Sequence, residues 1–155
     1  MTLLFTVQPP EVTKKYRKEF DQKRMNHKFV KWLYRKGYLD KYAHKISLER
    51  ARRGKIPHGF DVHHILPLSG GGNNHVTNMC LIERSLHKFI NKKCFDPPLR
   101  GAKIGQTFEI DVPDFGRVAT REEYNDFIDR KLKHDRDRQK FYNYLRRWQK
   151  EGDKR

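Results

Sequence analysis

Residues 62–91 read VHHILPLSGGGNNHVTNMCLIERSLHKFIN, and this succession of short apolar runs, turn formers and one helical repeat decides how the chain folds. Phe60-Asp61-Val62-His63-His64-Ile65 predicts a short strand. Behind it, Pro67-Leu68-Ser69-Gly70-Gly71-Gly72-Asn73-Asn74 is dense in turn formers and predicts a loop. Met79-Cys80-Leu81-Ile82 predicts a second short strand, and Ser85 to Lys93 a helix. On that helix His87 and Asn91 stand four residues apart, which puts both on one face. Consecutive side chains of a strand point to opposite faces, so His63 and His64 are suited to different work. One fits a metal ligand and the other a proton acceptor. Neutral imidazole and an amide oxygen suit a divalent first-row ion or magnesium.

Working outward, Val12, Tyr16, Phe20, Phe29, Val30 and Leu33 fall largely at helical spacing between Pro9-Pro10 and Gly37, predicting one long basic helix from Glu11 to Lys36. A second helix is expected from Leu39 to Arg53, where Leu39, Tyr42, Ile46 and Arg50 share a face and Gly54 offers a stop. On the other side, Pro97-Pro98 opens a loop, and the alternation of Thr107 to Val112 predicts a strand. Thr120-Arg121-Glu122-Glu123 fits a capping box. The helix it opens is expected to reach Trp148, with Tyr124, Phe127, Ile128, Leu132, Phe141, Leu145 and Trp148 as its apolar side and Lys133 to Arg138 polar all round. The expected fold class is α+β in one domain. Its parts are a basic helical segment (1–57), a core of two strands and a helix (58–95), and a strand with a long C-terminal helix (96–155).

A chain of 155 residues is long enough for one modest core. Charged and hydrophobic residues each make up 35%, which favours a thin core, while ten Phe, seven Tyr and two Trp supply the large apolar bodies to fill it. The formal net charge of +16 attracts polyanions, and the readings are a soluble basic protein without a charge-seeking partner, or one that meets nucleic acid, an acidic membrane surface or an acidic inhibitor protein. Charge alone does not choose among them. The apolar start, Met1 to Val7, is too short for a secretory signal and no run reaches membrane-spanning length, so a soluble chain is expected. Cys80 and Cys94 form no Cys-x-x-Cys pair and read as thiols in a reducing compartment.

The order of these features, His63-His64 ending a strand, a glycine-rich loop, Asn78 before a second strand, then His87 and Asn91 on a helix, resembles the ββα-metal motif of the HNH endonucleases. The steps from His64 to Asn78, Asn78 to His87 and His87 to Asn91 are fourteen, nine and four residues, similar to those of colicin-type and polymorphic-toxin nuclease domains. The resemblance covers residues 62–91 and implies a ββα-metal core there; the basic helices expected at both ends lie outside it. It also implies metal-dependent hydrolysis of DNA, leaving 5′-phosphate and 3′-hydroxyl ends; little sequence specificity is expected because no helix-turn-helix, finger or other base-reading module is apparent. By this resemblance His63 and His87 are metal ligands. Asn91 stands where colicin-like members carry another histidine, which shifts the expected divalent ion from zinc or nickel toward magnesium or manganese. His64 is implied as the general base, with Asn78 either orienting it or holding the loop. Asp61 stands where colicin-like members carry an acidic residue, and reads either as a brace for a neighbouring side chain or as a plain surface carboxylate. His75 reads as solvated, and His27, His44, His58 and His134 as ordinary surface or packing residues. The implied partners are DNA and, for a nuclease toxin, an acidic immunity protein, with no membrane insertion. The implied location is the cytoplasm, or a target cell reached without a cleavable signal peptide. The competing readings are a phage or mobile-element endonuclease, a ribonuclease on the same motif, and a non-catalytic nucleic-acid-binding module.

Overall fold

The computed structural model describes residues 1–153, so Lys154 and Arg155, the end of the expected C-terminal part, lie outside the described residues. The chain divides into two compact units, Met1–Glu123 and the segment from Tyr124 onward. The first is a mixed α+β unit. Its elements are β1 (Thr2–Thr6), α1 (Pro10–Gln22), α2 (Met25–Arg35), α3 (Leu48–Arg52), β2 (Phe60–His64), β3 (Met79–Glu83), α4 (Arg84–Ile90), α5 (Asp96–Leu99), β4 (Thr107–Asp111) and β5 (Val118–Ala119). β1 and β4 form an antiparallel pair, and a second sheet has the order β2-β3-β5, with β2 antiparallel and β5 parallel to β3.

The single helix expected from Glu11 to Lys36 is two helices. Arg24 adopts a left-handed conformation, φ 51° and ψ 45°, and ends the first before the second begins. The apolar pattern explains the break. Continuing the stripe of Val12, Tyr16 and Phe20 through unbroken helix would turn Lys23, Arg24, His27 and Lys31 toward the core. Re-phasing at Arg24 turns Phe29, Val30 and Leu33 inward instead, and all three are buried. The helix expected from Leu39 to Arg53 is also shorter: a 3₁₀ turn at Asp40–Tyr42, then α3. Ser47 competes for the backbone as an N-cap, its side chain accepting from Arg50 N at 3.3 Å.

β2 and β3 match the two expected short strands, with His63 opposite Cys80 and His64 opposite Met79. α4 follows β3 directly and packs on both strands. The helix expected over Ser85 to Lys93 starts at Arg84 and changes at Asn91–Phe95 into a π-helical turn. Asn91 keeps helical backbone angles, φ −61° and ψ −49°, so its four-residue step from His87 still puts both on one face. Pro97 and Pro98 lie in the short α5, whose first turn tolerates proline, and the loop expected after them runs over 100–106. β4 falls where a strand was expected, and its partner β1 buries Phe5. Around α2 the core gathers Phe20, Phe29, Leu33, Tyr42, Phe60 and Leu81; each such side chain contributes about 1.5–3 kcal/mol when fully buried. Cys80 and Cys94 are both buried as thiols.

Before the second unit, Glu123 Oε1 accepts from Thr120 N at 3.0 Å, the glutamate half of the expected capping box. The second unit carries α6 (Asn125–Asp153), one continuous helix. The apolar side expected to run to Trp148 is buried only at Phe127 and Ile128; Phe141 and Trp148 are 58% and 66% exposed. Helical spacing of apolar residues makes a stripe, and burial needs a layer to cover it. No helix among the described residues is long and apolar enough to cross a membrane.

Two glycines of the Pro67–Asn74 loop are required by close approach. A Cβ at Gly72 would fall 1.8 Å from the Leu66 carbonyl oxygen, and one at Gly70 would fall 2.3 Å from the Phe5 ring. Gly72→Ala is therefore expected to destabilise the chain by about 3 kcal/mol through backbone overpacking. Gly116→Ala, where the nearest neighbour is 3.8 Å away, is expected to be close to neutral. Urea unfolding midpoints of the two variants check this, and equal midpoints would contradict it.

Candidate functional site

His63 and His64 end β2 and turn to different neighbours. His63, 4% exposed, packs edge-on against His87 of α4 at a ring separation of 4.9 Å and against Phe115 at 5.6 Å. Its Nε2 is fully buried with no hydrogen-bond partner. Burial pushes its pKa down to about 3, helped by the neighbouring His87 and His64, so the ring is neutral at pH 7. Orphaned buried polar atoms are rare and call for an explanation.

His64, 6% exposed, faces α1, with its ring 4.9 Å from Phe20. Its Nε2 lies 3.0 Å from Asn74 Oδ1. Asn74 Nδ2 donates to the Tyr16 carbonyl at 2.9 Å and to Glu19 Oε1 at 3.3 Å, so the Asn74 oxygen is left to accept. His64 therefore carries its proton on Nε2 and a lone pair on Nδ1. Burial lowers the His64 pKa, opposed by the Asn74 bond and reinforced by the Arg17 cation.

His87 is held from behind by Asp61, whose Oδ2 lies 3.0 Å from His87 Nδ1, while Arg84 Nε donates to Asp61 Oδ1 at 3.4 Å. A carboxylate on Nδ1 keeps a hydrogen there and leaves Nε2 as the nitrogen available to a ligand. Asp61 is thus a brace rather than a plain surface carboxylate. Asn91 is exposed at the start of the π-helical turn, and π-turns of this kind are frequent at functional positions.

His63, His64, His87 and Asn91 line one pocket of about 320 Å³, closed on the α1 side by Thr13 and Arg17. Asn78 is not among its lining residues. Its Oδ1 accepts from Leu66 N, and its Nδ2 donates to Leu66 O and Asn73 O, each at 2.9 Å. Of the two roles expected for it, the one observed is holding the loop. The residue that orients His64 is Asn74, which the sequence reading did not single out from its asparagine neighbours. Arg17 was missed as well, since its helix was read only as a generally basic one. His75 is exposed and turned onto Thr77, accepting from its backbone N at 3.3 Å, and His27 contacts the Gly54 carbonyl at 2.7 Å.

Among the described residues, no group of three or more His, Cys, Asp or Glu is arranged to hold a metal ion. The expected set holds two residues of those types, His63 and His87, with an amide as its third member. The donor chemistry nonetheless fits a divalent ion: two imidazoles in ring contact, one with an unpartnered buried nitrogen and the other with its far side fixed by a carboxylate. Comparison of the chain with protein-family models, curated proteins and solved structures returns no match.

The two depressed histidines set an expected pH dependence. An unfolded histidine titrates near ~6.5, above both folded values, so below that pH the unfolded state binds more protons and is favoured. Without added metal, stability is expected to be complete above about pH 6.5 and to fall steadily as the pH drops from there to about 5, above the carboxylate range. Thermal unfolding in chelator across this window checks it. A His63→Leu variant should give a shallower slope, and a wild-type midpoint independent of pH there would contradict the buried neutral pair.

Proposed function

We propose that the chain is a metal-dependent endonuclease of the HNH type, hydrolysing DNA phosphodiester bonds with little sequence preference. The observation that carries this reading is the divided histidine pair at the end of β2. His63, with an unpartnered buried Nε2, lies against His87, while His64, its Nε2 bonded to Asn74 and the lone pair left on Nδ1, lines the same pocket. The succession β2, β3, α4, with the helix packed on both strands, supports a ββα-metal core. His63 Nε2, His87 Nε2 and the Asn91 amide oxygen would hold one divalent ion, magnesium or manganese ahead of zinc or nickel. When bound, that ion supplies Lewis-acid stabilisation of the phosphate charge and of the leaving 3′ oxygen.

The chain's own groups do the rest. His64 accepts a proton from the attacking water at Nδ1 while Asn74 keeps Nε2 protonated, and burial holds its pKa below the usual value, so Nδ1 is unprotonated at pH 7. Arg17 provides a fixed cation and a forked donor for phosphate oxygens in the same pocket. Exposed Lys14, Lys15 and Lys18 continue the positive surface along α1 and suit backbone tracking. The +16 charge equally supports inhibition by an acidic protein, as the immunity partner of a nuclease toxin would provide.

Incubation of the protein with supercoiled plasmid and magnesium, manganese, nickel or zinc should give nicked and then degraded DNA, and EDTA should abolish it. His64→Ala should lower the rate about a hundred- to ten-thousandfold, the usual cost of losing a general base. Salt-sensitive DNA binding with no nicking under any of the four ions would instead identify a non-catalytic binding module.

A further inference from the structure

A second pocket, of about 300 Å³, is lined by Asn74, the hydrogen-bond partner of His64. Its apolar lining is Met25, Phe29 and Trp32 of α2 with Val76 and Met79. Phe29 and Met79 are buried at its base, whereas Met25, Trp32 and Val76 are half-exposed. Lys28 and Arg35, both exposed, also line it and come from the same face of α2, three and ten residues on from Met25. The walls are held in place. The Arg117 guanidinium lies over the Trp32 ring at 5.2 Å, and its Nη1 donates to the Val76 carbonyl at 3.0 Å. Trp32 also stacks on Phe29 at 6.0 Å.

We infer that this pocket takes an unpaired nucleobase of the strand whose phosphate occupies the His63–His64–His87 pocket. The inference rests on the nuclease reading and names its substrate class: single-stranded or locally unpaired DNA. A nucleotide joins an aromatic ring to an anion, and this pocket joins an aromatic wall to a cationic rim. One hydrogen-bonded pair links it to the phosphate pocket: Asn74 lines the aromatic pocket and holds Nε2 of His64, which lines the other. A base within a duplex has both faces stacked and its edge paired, so only an unpaired base can enter. Stacking on an aromatic wall accepts every base, in keeping with little sequence preference.

The test uses the full chain carrying Trp148→Phe, a change at an exposed position of α6 that leaves Trp32 as the sole tryptophan of the two. The protein is titrated in EDTA and low salt with a four-nucleotide thymidine oligomer, and with the same oligomer made abasic at every position. The base-bearing oligomer should perturb Trp32 fluorescence saturably and bind about tenfold more tightly than the abasic one, the effect of one stacked base. Equal affinity and equal fluorescence change for the two, or no saturable binding of either, would overturn the inference. Plasmid cleavage by the same protein with metal reports separately on the nuclease reading. Cleavage without base-dependent binding refutes the pocket alone. Base-dependent binding without cleavage supports the pocket and refutes the nuclease.

Discussion

The Asn78 amide is the constraint on which the site depends. Its oxygen accepts from Leu66 N and its nitrogen donates to Leu66 O and Asn73 O, while the Asn78 carbonyl accepts from Ile65 N at 2.9 Å. These bonds close the loop between β2 and β3 at its base, each contributing a net ~0.5–1.5 kcal/mol. The closure fixes the register in which His63 faces Cys80 and His64 faces Met79. It also sets Gly72 against the Leu66 carbonyl, a distance no side chain tolerates. From that folded loop Asn74 reaches both His64 and the α1 backbone, so one loop couples the strand pair to the helix that carries Arg17.

Two adjacent histidines acquire opposite assignments from their surroundings rather than from their own chemistry. Both are buried and both have lowered pKa values, with burial the leading cause. They differ in partners. His63 meets an imidazole and a phenyl ring and leaves a nitrogen unsatisfied. His64 meets an amide whose other contacts force it to accept, and the tautomer follows. An amide at Asn74 and a carboxylate at Asp61 thus do the same kind of work for two different rings, each fixing which nitrogen keeps its hydrogen.

The strands at 60–64 and 79–83 and the helical face shared by His87 and Asn91 were legible because they are local: alternation, turn formers and a four-residue step lie within one short stretch. Less local features were not. Met1 to Val7 showed only that it was too short for a signal, because a strand is recognised by its partner, and Thr6 pairs with Thr107 far along the chain. The division of the first helix was readable in principle from Lys23, Arg24, His27 and Lys31 on the would-be buried stripe, yet no glycine or proline marks it; a left-handed arginine does. Asn74 sits among Asn73 and Asn78 with nothing in its local sequence to distinguish it, since its role comes from Tyr16 and Glu19, which meet it only through tertiary packing. Arg17 was one of several basic residues on a helix until docking placed it at the pocket. The exposed Phe141 and Trp148 mark the converse case, a readable stripe without burial.

The central claim is that neighbouring histidines divide metal holding from proton transfer, and calorimetric titration with manganese addresses it without relying on turnover. The account predicts that His63→Ala and His87→Ala weaken binding of the ion severalfold or more, while His64→Ala binds it as the wild type does. Loss of binding in His64→Ala with wild-type affinity in His63→Ala would contradict the account and reverse the two roles.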